Sequence, residues 1–239
     1  MKQNLFFTAK AALVLISALT AAPALAQASD NAEEEPTISI DGSIEAVSDY
    51  RFRGISLADF DPALQPSLTM THASGFYVNA WGSNTADNGG ADIEVDFTIG
   101  WSSDMGDGIS ADIYAMHYFY PGASGLNYAE FGASLSKSIG EGSIAAEVSY
   151  APSQQGTGQI DNIYLGVSGD MPVTGTPLLL RGSFGYEDGA FGINKLDWLV
   201  GAGYDLGSGW AVGVSYVDSY RSQLREGRAG VVANLRIDF

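Results

Sequence analysis

Charged side chains recur at every second position of several segments of this sequence, and arginines stand among carboxylates there. In the first such segment Asp41, Glu45, Asp49, Arg51 and Arg53 share one parity. Carboxylate and guanidinium groups that face a common space either pair with one another or attract ions of opposite sign. The chemistry that this pattern indicates is ion pairing and ion attraction.

Few residues could catalyse a reaction or hold a metal ion. His72 and His117 are the only histidines, they lie far apart, and the chain has no cysteine. A metal site needs several ligands at close spacing, and a nucleotide site needs a glycine-rich loop between a strand and a helix. We therefore expect no catalytic residue, metal or cofactor. The excess of 28 Asp+Glu over 11 Lys+Arg also argues against nucleic acid as a partner.

Apolar and polar residues alternate along most of the chain in segments of about ten residues. Residues 92–101, DIEVDFTIGW, place Ile, Val, Phe, Ile and Trp on one face and Asp, Glu, Asp and Thr on the other. A period of two is typical of a strand whose faces meet different surroundings. Leu199 and Val232 interrupt the pattern, as apolar residues on the polar parity. No comparable helical period appears.

These segments predict an all-β protein, a transmembrane antiparallel up-and-down β-barrel of about 12 strands, with 10 or 14 also compatible. The even number places both termini in the periplasm. We predict the strands over 37–56, 64–72, 76–84, 92–101, 109–120, 127–138, 143–151, 160–169, 178–187, 193–204, 210–219 and 228–239. Connectors alternate between the periplasm and the cell exterior, and the exterior set includes 57–63, 121–126 and 221–227.

Alternation alone does not say which face points outward, and a soluble barrel would turn its apolar face inward. Two arguments favour the membrane barrel. About twelve strands enclose a lumen too wide for Ile, Val and Ala side chains to fill. Aromatic residues of the apolar face also stand near strand ends, as interfacial girdles require. The predicted girdles are Tyr50, Phe52, Phe119, Tyr150, Tyr186 and Tyr216 at the outer rim, and Phe76, Trp101, Tyr204, Trp210 and Phe239 at the periplasmic rim.

In such a barrel the polar faces line the lumen, where charged side chains set the sign of ion selectivity. The carboxylate excess predicts a weak preference for cations. Arg51 and Arg53 either pair with facing carboxylates or form an eyelet for an anionic group. The predicted constriction residues are Glu45, Asp49, Arg51, Arg53, Tyr77, Trp81, Asp92, Glu94, Asp96, Arg181, Lys195 and Arg236.

The N-terminal residues predict export. Lys2 and Lys10 precede an apolar stretch, and Ala24-Leu25-Ala26 forms a cleavage site, so we expect a signal peptide over 1–26. Its removal leaves 9 basic against 28 acidic side chains, a net charge of −19. Residues 27–36 then form an acidic, flexible periplasmic lead-in, and 37–239 the barrel.

Two motifs resemble known proteins. The run Ser48-Asp49-Tyr50-Arg51-Phe52-Arg53-Gly54-Ile55-Ser56, continued to Trp81-Gly82-Ser83-Asn84, is similar to the N-terminal part of the TorF-type porin family of proteobacteria. The C-terminal Leu235 to Phe239 resembles the terminal strand, ending in Phe, that the barrel-assembly machinery binds in outer-membrane proteins. The resemblance implies an outer-membrane barrel of a Gram-negative bacterium and a channel role; it brings no substrate and no functional residue.

The sequence therefore predicts an outer-membrane, porin-like channel for passive diffusion of small solutes, embedded in outer-membrane lipid. Two alternatives stay open. One is a closed structural or adhesive barrel whose lumen is blocked by side chains. The other is a membrane-embedded lipid-modifying or proteolytic enzyme, which would need a histidine with a Ser or Asp partner near the outer rim. Only His117 lies in that region, and its parity points it towards lipid. The oligomeric state is not predicted.

Overall fold

The computed structural model describes residues 37–239, and within them twelve strands form a closed antiparallel barrel. This confirms the predicted fold class. The predicted signal peptide and lead-in lie outside the described residues. The strands are β1 Ile38–Val47, β2 Arg51–Phe52, β3 Ile55–Ser56, β4 Ala63–His72, β5 Phe76–Asn88, β6 Ala91–Gly106, β7 Ile109–Phe119, β8 Tyr128–Ile139, β9 Gly142–Ala151, β10 Asn162–Pro172, β11 Leu178–Gly189, β12 Gly192–Gly207, β13 Trp210–Tyr220 and β14 Gly230–Asp238. Three short 3₁₀ helices cover Ser124–Leu126, Gln155–Thr157 and Arg225–Gly227.

Along the barrel each strand pairs with the wall strands before and after it, so β1 pairs with β4. β2 and β3 lie outside the wall and pair only with each other. β1 closes the barrel against β14, with Glu45 opposite Arg236. Gly42 and Phe239 exchange backbone hydrogen bonds of 2.8 and 2.9 Å at this seam. The Phe239 ring covers Gly42, where any side chain would collide with it. Phe239 therefore forms the last backbone pairing that closes the barrel.

The outer surface of the wall is apolar and the inner surface polar. Ile40, Ile99 and Val200 are each 60% or more exposed on the outside, whereas Glu94 and Lys195 are 1% exposed on the inside. This is the reverse of a soluble barrel, so the soluble alternative is wrong. No helix within residues 37–239 is long and apolar enough to cross a membrane.

The connections differ at the two ends. The turns at the end where Thr37 and Phe239 lie, called here the terminal end, are short, as at 107–108 and 208–209. Longer segments join strands at the opposite end, called the loop end, notably 48–62, 120–127 and 221–229. The two sets of connectors agree with those predicted from the sequence.

The predicted first strand, 37–56, is wrong beyond Val47. β1 ends there, and the chain leaves the wall to form the β2–β3 hairpin before rejoining it at β4. Tyr50 and Phe52 therefore do not belong to an outer girdle: Tyr50 is 4% exposed and packs on Trp81 with ring centroids 5.3 Å apart. The other predicted girdle residues, such as Tyr150 and Trp210, remain on the outer face.

Candidate functional site: a plugged lumen

Residues 48–62, called here the plug, fold from the loop end into the lumen. β2 and β3 pair as Arg51 with Ser56 and Phe52 with Ile55, which leaves Arg53 and Gly54 as a two-residue turn. Both have positive φ, at 47° and 83°, as a type I′ turn requires. A side chain at Gly54 would approach Asp197 and Ser219 to within 2.9 Å, so the tip needs glycine for space as well as for conformation.

Arg53 at the tip of the plug reaches the far wall of the barrel. Its Nη2 donates to Glu130 Oε1 at 2.9 Å and to Ser149 Oγ at 2.7 Å, and its Nη1 donates to Glu187 Oε1 at 3.2 Å. The guanidinium carbon also lies 4.2 Å from the centroid of the Tyr164 ring. Since β8 and β9 stand across the barrel from β1, the plug spans the lumen.

A second cation completes this network. Lys195 Nζ lies 2.9 Å from Glu187 Oε2 and 3.4 Å from Asp197 Oδ2, and it donates to the Arg53 carbonyl. Tyr164 Oη donates to Asp197 Oδ1 at 3.2 Å. Ion pairs buried this deeply are costly to break, because removal of one partner leaves an uncompensated charge.

The base of the plug is fixed near the rim. Arg51 Nε donates to Asp49 Oδ2 at 2.5 Å, and its Nη1 donates to the carbonyls of Arg228 and Glu226 at 2.8 and 3.1 Å. The Arg228 guanidinium stands 4.1 Å from the centroid of the Phe60 ring. The plug is thus held to the β13–β14 connection as well as to the far wall.

Aromatic rings fill space beside the plug. Tyr118 and Tyr128 stack with centroids 4.2 Å apart, Phe191 packs on Tyr128 at 5.0 Å, and Phe52 meets Tyr118 at 6.1 Å. With the ion pairs, these rings occupy the loop half of the lumen, where the inward side chains of Tyr118, Tyr128 and Glu130 are less than a tenth exposed.

Carboxylates on β6 and β7 have no basic partner. Among the described residues Glu94, Asp96 and Asp112 form no ion pair, and one oxygen of each, Glu94 Oε2, Asp96 Oδ1 and Asp112 Oδ2, has no hydrogen-bond partner. Tyr50 Oη donates to Glu94 Oε1 at 3.5 Å and Tyr77 Oη to Asp112 Oδ1 at 3.3 Å. From β4 to β10 the sequence carries one Lys and no Arg; this residue, Lys137, is exposed at the terminal end. The lumen is therefore acidic on one side and mixed in charge on the other.

Small side chains line the terminal half of the lumen on several strands. Ser134, Ser168, Ser183, Gly201 and Gly203 face inward and are partly exposed. Some glycines of the lumen wall make room for a tyrosine of the next strand, as Gly132 does for Tyr114 and Gly100 for Tyr77. This half is a partly open vestibule below the plug.

The structure brings eleven of the twelve predicted constriction residues to the lumen. Glu45, Asp49, Arg51, Arg53, Tyr77, Glu94, Asp96 and Lys195 are buried there, and Trp81, Arg181 and Arg236 are partly exposed. Asp92 is an exception: as the second residue of β6 it stands at the rim of the loop end, exposed and outside the constriction. His117 is exposed on the outer face. No cluster of three or more His, Cys, Asp or Glu within residues 37–239 has the geometry to hold a metal ion.

Sequence reasoning missed the plug and the partners of its arginine. Glu130 and Glu187 stand 77 and 134 residues from Arg53, so no local pattern identifies them as its partners. The plug itself left a signal: a first strand over 37–56 is about twice the 9–11 residues that a transmembrane strand needs.

A closed barrel with an apolar exterior and a polar interior is the fold of transmembrane β-barrels. The chain belongs to the bacterial family Gcw_chp, described as a bacterial protein of unknown function, whose model matches residues 31–229. The resemblance to the TorF-type porin family stays a prediction. No curated protein sequence matches the chain.

Solved porins share the fold. The KdgM porin, solved in complex with disordered oligogalacturonate, is 10% identical, with a TM-score of 0.52 over 83% of this chain and 95% of its own. The NanC porin is 9% identical, with a TM-score of 0.54 over 84% of this chain and 99% of its own. At identities this low, the structural similarity shows the fold alone. The solute must be inferred from the lumen of this chain.

Proposed function

We propose that the chain is an outer-membrane channel for passive diffusion of small solutes, with a weak preference for cations, and that the plug forms its constriction. The observation that carries the proposal is the division of the lumen: a polar vestibule leads from the terminal end to a barrier made by one segment, residues 48–62. In this proposal the terminal end faces the periplasm and the loop end faces the cell exterior.

The charges of the lumen wall support the proposed cation preference. Glu94, Asp96 and Asp112 lie on β6 and β7 without a basic partner within residues 37–239, whereas Arg53 and Lys195 are neutralised by Glu130, Glu187 and Asp197. Unpaired charge in a narrow, low-dielectric passage concentrates counter-ions more than paired charge does. The free carboxylates therefore favour cations along one wall.

A second candidate function is a closed structural barrel, and the plug is the observation that favours it. The two candidates differ in one respect: a channel opens its barrier at least transiently, and a structural barrel keeps it closed. Neither candidate uses catalysis, and His117, which an enzyme at the outer rim would need, faces outward.

Single-channel recording tests the proposal. The refolded chain is inserted into a planar bilayer under a KCl gradient, with heat-modifiable gel mobility as the proof of folding. We expect discrete conductance steps and a reversal potential on the cation-selective side. A folded barrel that never conducts, with or without the plug, would establish the structural candidate instead.

A further inference from the structure

Four wall strands meet at the tip of the plug and surround the guanidinium group of Arg53. Ser149 on β9, Tyr164 on β10 and Glu187 on β11 are neighbours in the strand register, and Glu130 stands beside them on β8. These four residues, called here the cage, all belong to the wall, whereas Arg53 comes from the plug. One residue of a separate segment thus fills a site that the wall alone builds.

The geometry of the cage matches a planar, forked cation. Glu130 accepts in parallel from both terminal nitrogens of Arg53, from Nη1 to Oε2 at 3.0 Å and from Nη2 to Oε1 at 2.9 Å. Each of these nitrogens donates once more, to Glu187 or to Ser149, and the guanidinium carbon lies over the Tyr164 ring. Guanidinium groups form such parallel pairs and stack on aromatic rings, whereas an ammonium group is a compact point charge. The cage therefore discriminates by the shape of a cation as well as by its charge.

Glu147 adds a carboxylate that no cation pairs with among the described residues. It lies one inward position from Ser149 on β9, on the vestibule side, and is partly exposed. A methyl group at Gly166 would stand 2.9 Å both from Glu147 Oε1 and from the Tyr164 ring, so this oxygen lies beside the cage. Glu147 Oε1 and Arg53 Nε are both buried without a hydrogen-bond partner. The arginine, tethered to a tight turn, thus leaves part of the binding capacity of the site unused.

We infer that the cage is a subsite for small solutes that carry a guanidinium group, and that Arg53 occupies it as an internal substitute for the solute. When the tip of the plug withdraws, Glu130 loses its cation, and a guanidinium solute restores the same hydrogen bonds and the stack on Tyr164. Tip and solute exclude each other, so such a solute favours the withdrawn plug. The inference rests on the proposed channel and names its solute class.

Chemical complementation tests the cage in the full chain. Arg53→Ala removes a fragment equivalent to ethylguanidinium. We expect millimolar ethylguanidinium to raise the unfolding midpoint of this variant in heat-modifiable gel mobility, at a roughly tenfold lower concentration than ethylammonium. Wild-type protein should not respond, because denaturation by guanidinium compounds needs molar concentrations. If Arg53→Ala does not fold unaided, its refolding yield with each compound gives the same comparison.

Matched variants locate the effect. Glu130→Gln added to Arg53→Ala removes the parallel acceptor and should raise the required concentration of ethylguanidinium by roughly tenfold. Glu147→Gln should raise it severalfold, and Asp112→Asn, on β7 outside the cage, should leave it unchanged. Arg225→Ala, which removes an exposed arginine instead, should gain no stability from the compound. Equal action of ethylguanidinium and ethylammonium on Arg53→Ala, an equal response of Arg225→Ala, or no effect of Glu130→Gln would overturn the inference.

A failure of the channel itself gives a different result. In a barrel without residues 48–62, L-arginine should block the KCl current at a roughly tenfold lower concentration than L-lysine, which has the same net charge. Equal block by the two amino acids would count against the cage as a solute site. Absence of any KCl current would overturn the proposed channel, and the complementation result would still decide whether the cage binds guanidinium groups, because unfolding does not depend on conduction.

Discussion

The two halves of the lumen are built from different side chains although the same strands form both. Towards the loop end, β8, β10, β11 and β12 turn large charged or aromatic residues inward, such as Glu130, Tyr164, Glu187 and Lys195. Towards the terminal end the same strands turn serine and glycine inward, such as Ser134 and Gly203. On these strands the inward residues thus differ between the two halves, and the plug completes the barrier in the loop half.

The difference shows where selectivity must arise. A solute in the vestibule is surrounded by small, partly exposed side chains and by water, which screens charge. At the plug it meets desolvated charges, whose interactions are several times stronger. Changes in the loop half should therefore alter conductance and selectivity more than equal changes in the terminal half.

Removal of the plug has the largest expected effect. Val47 and Ala63 face each other in the β1–β4 register, so a short Asn-Gly turn can replace residues 48–62 without moving the wall. Conductance should rise severalfold and become steady, because the barrier is gone. Shortening of the 173–177 turn at the terminal end is the control and should leave conductance unchanged. Unaltered conductance in the plug-deleted barrel would mean that the plug is not the barrier.

Substitution of Arg53 comes next. Arg53→Met leaves Glu130 without its cation and Glu187 with Lys195 alone, and the loss of one partner of a buried pair costs about 3–5 kcal/mol. We expect a lower midpoint of unfolding in a heat-modifiability series and longer open times in the bilayer, as the tip of the plug loses its anchor.

Two variants check the origin of that effect. Glu130→Gln combined with Arg53→Met should recover part of the stability, because a buried charge is removed together with its partner. Arg225→Met breaks an ion pair with Asp59 whose arginine side chain is 57% exposed, and should cost at most about 1 kcal/mol. If Arg225→Met destabilised the barrel as much as Arg53→Met, burial would not be the cause.

The acidic wall gives a smaller effect, on selectivity alone. Glu94→Gln with Asp96→Asn removes two lumen carboxylates that lack a basic partner among the described residues. The permeability ratio of K⁺ to Cl⁻ should fall by about twofold, as the local excess of cations declines. Asp161→Asn, at an exposed position of the loop end, is the matched control. An unchanged reversal potential in the double variant would contradict the assignment of cation preference to this wall.

The twelve-strand wall was predictable because every strand separates two surroundings. In residues 92–101 apolar and polar side chains alternate because one face meets lipid and the other meets the lumen. The same contrast is present in each strand segment. The plug was not predictable in this way. Asp49, Arg51 and Arg53 continue the alternation of β1, because the hairpin also has one face directed at buried charges. Periodicity therefore extended the first strand past its end.

The contents of the lumen were predictable in kind but not in pairing. Parity identifies the side chains that point inward, which is why Glu94, Lys195 and Arg236 lie there. Which of them meet depends on the closure of the barrel and on the crossing of the plug. Arg53 therefore finds carboxylates on β8 and β11, and no feature near it in the sequence indicates them.

The same small substitution in the two halves gives the finest comparison. At Gly185 a methyl group would stand 2.1 Å from Tyr164 Oη, and at Gly203 the nearest atom would be 3.8 Å away. Gly185→Ala must displace Tyr164, whose ring lies under Arg53 and whose hydroxyl holds Asp197, so the disturbance reaches the plug. Gly203→Ala makes only ordinary van der Waals contacts and should stabilise the barrel by about 0.4–1 kcal/mol, because alanine restricts the unfolded chain. We expect Gly185→Ala alone to lengthen the open times. Equal open times in the two variants would show that contact with the plug does not control the opening of the channel.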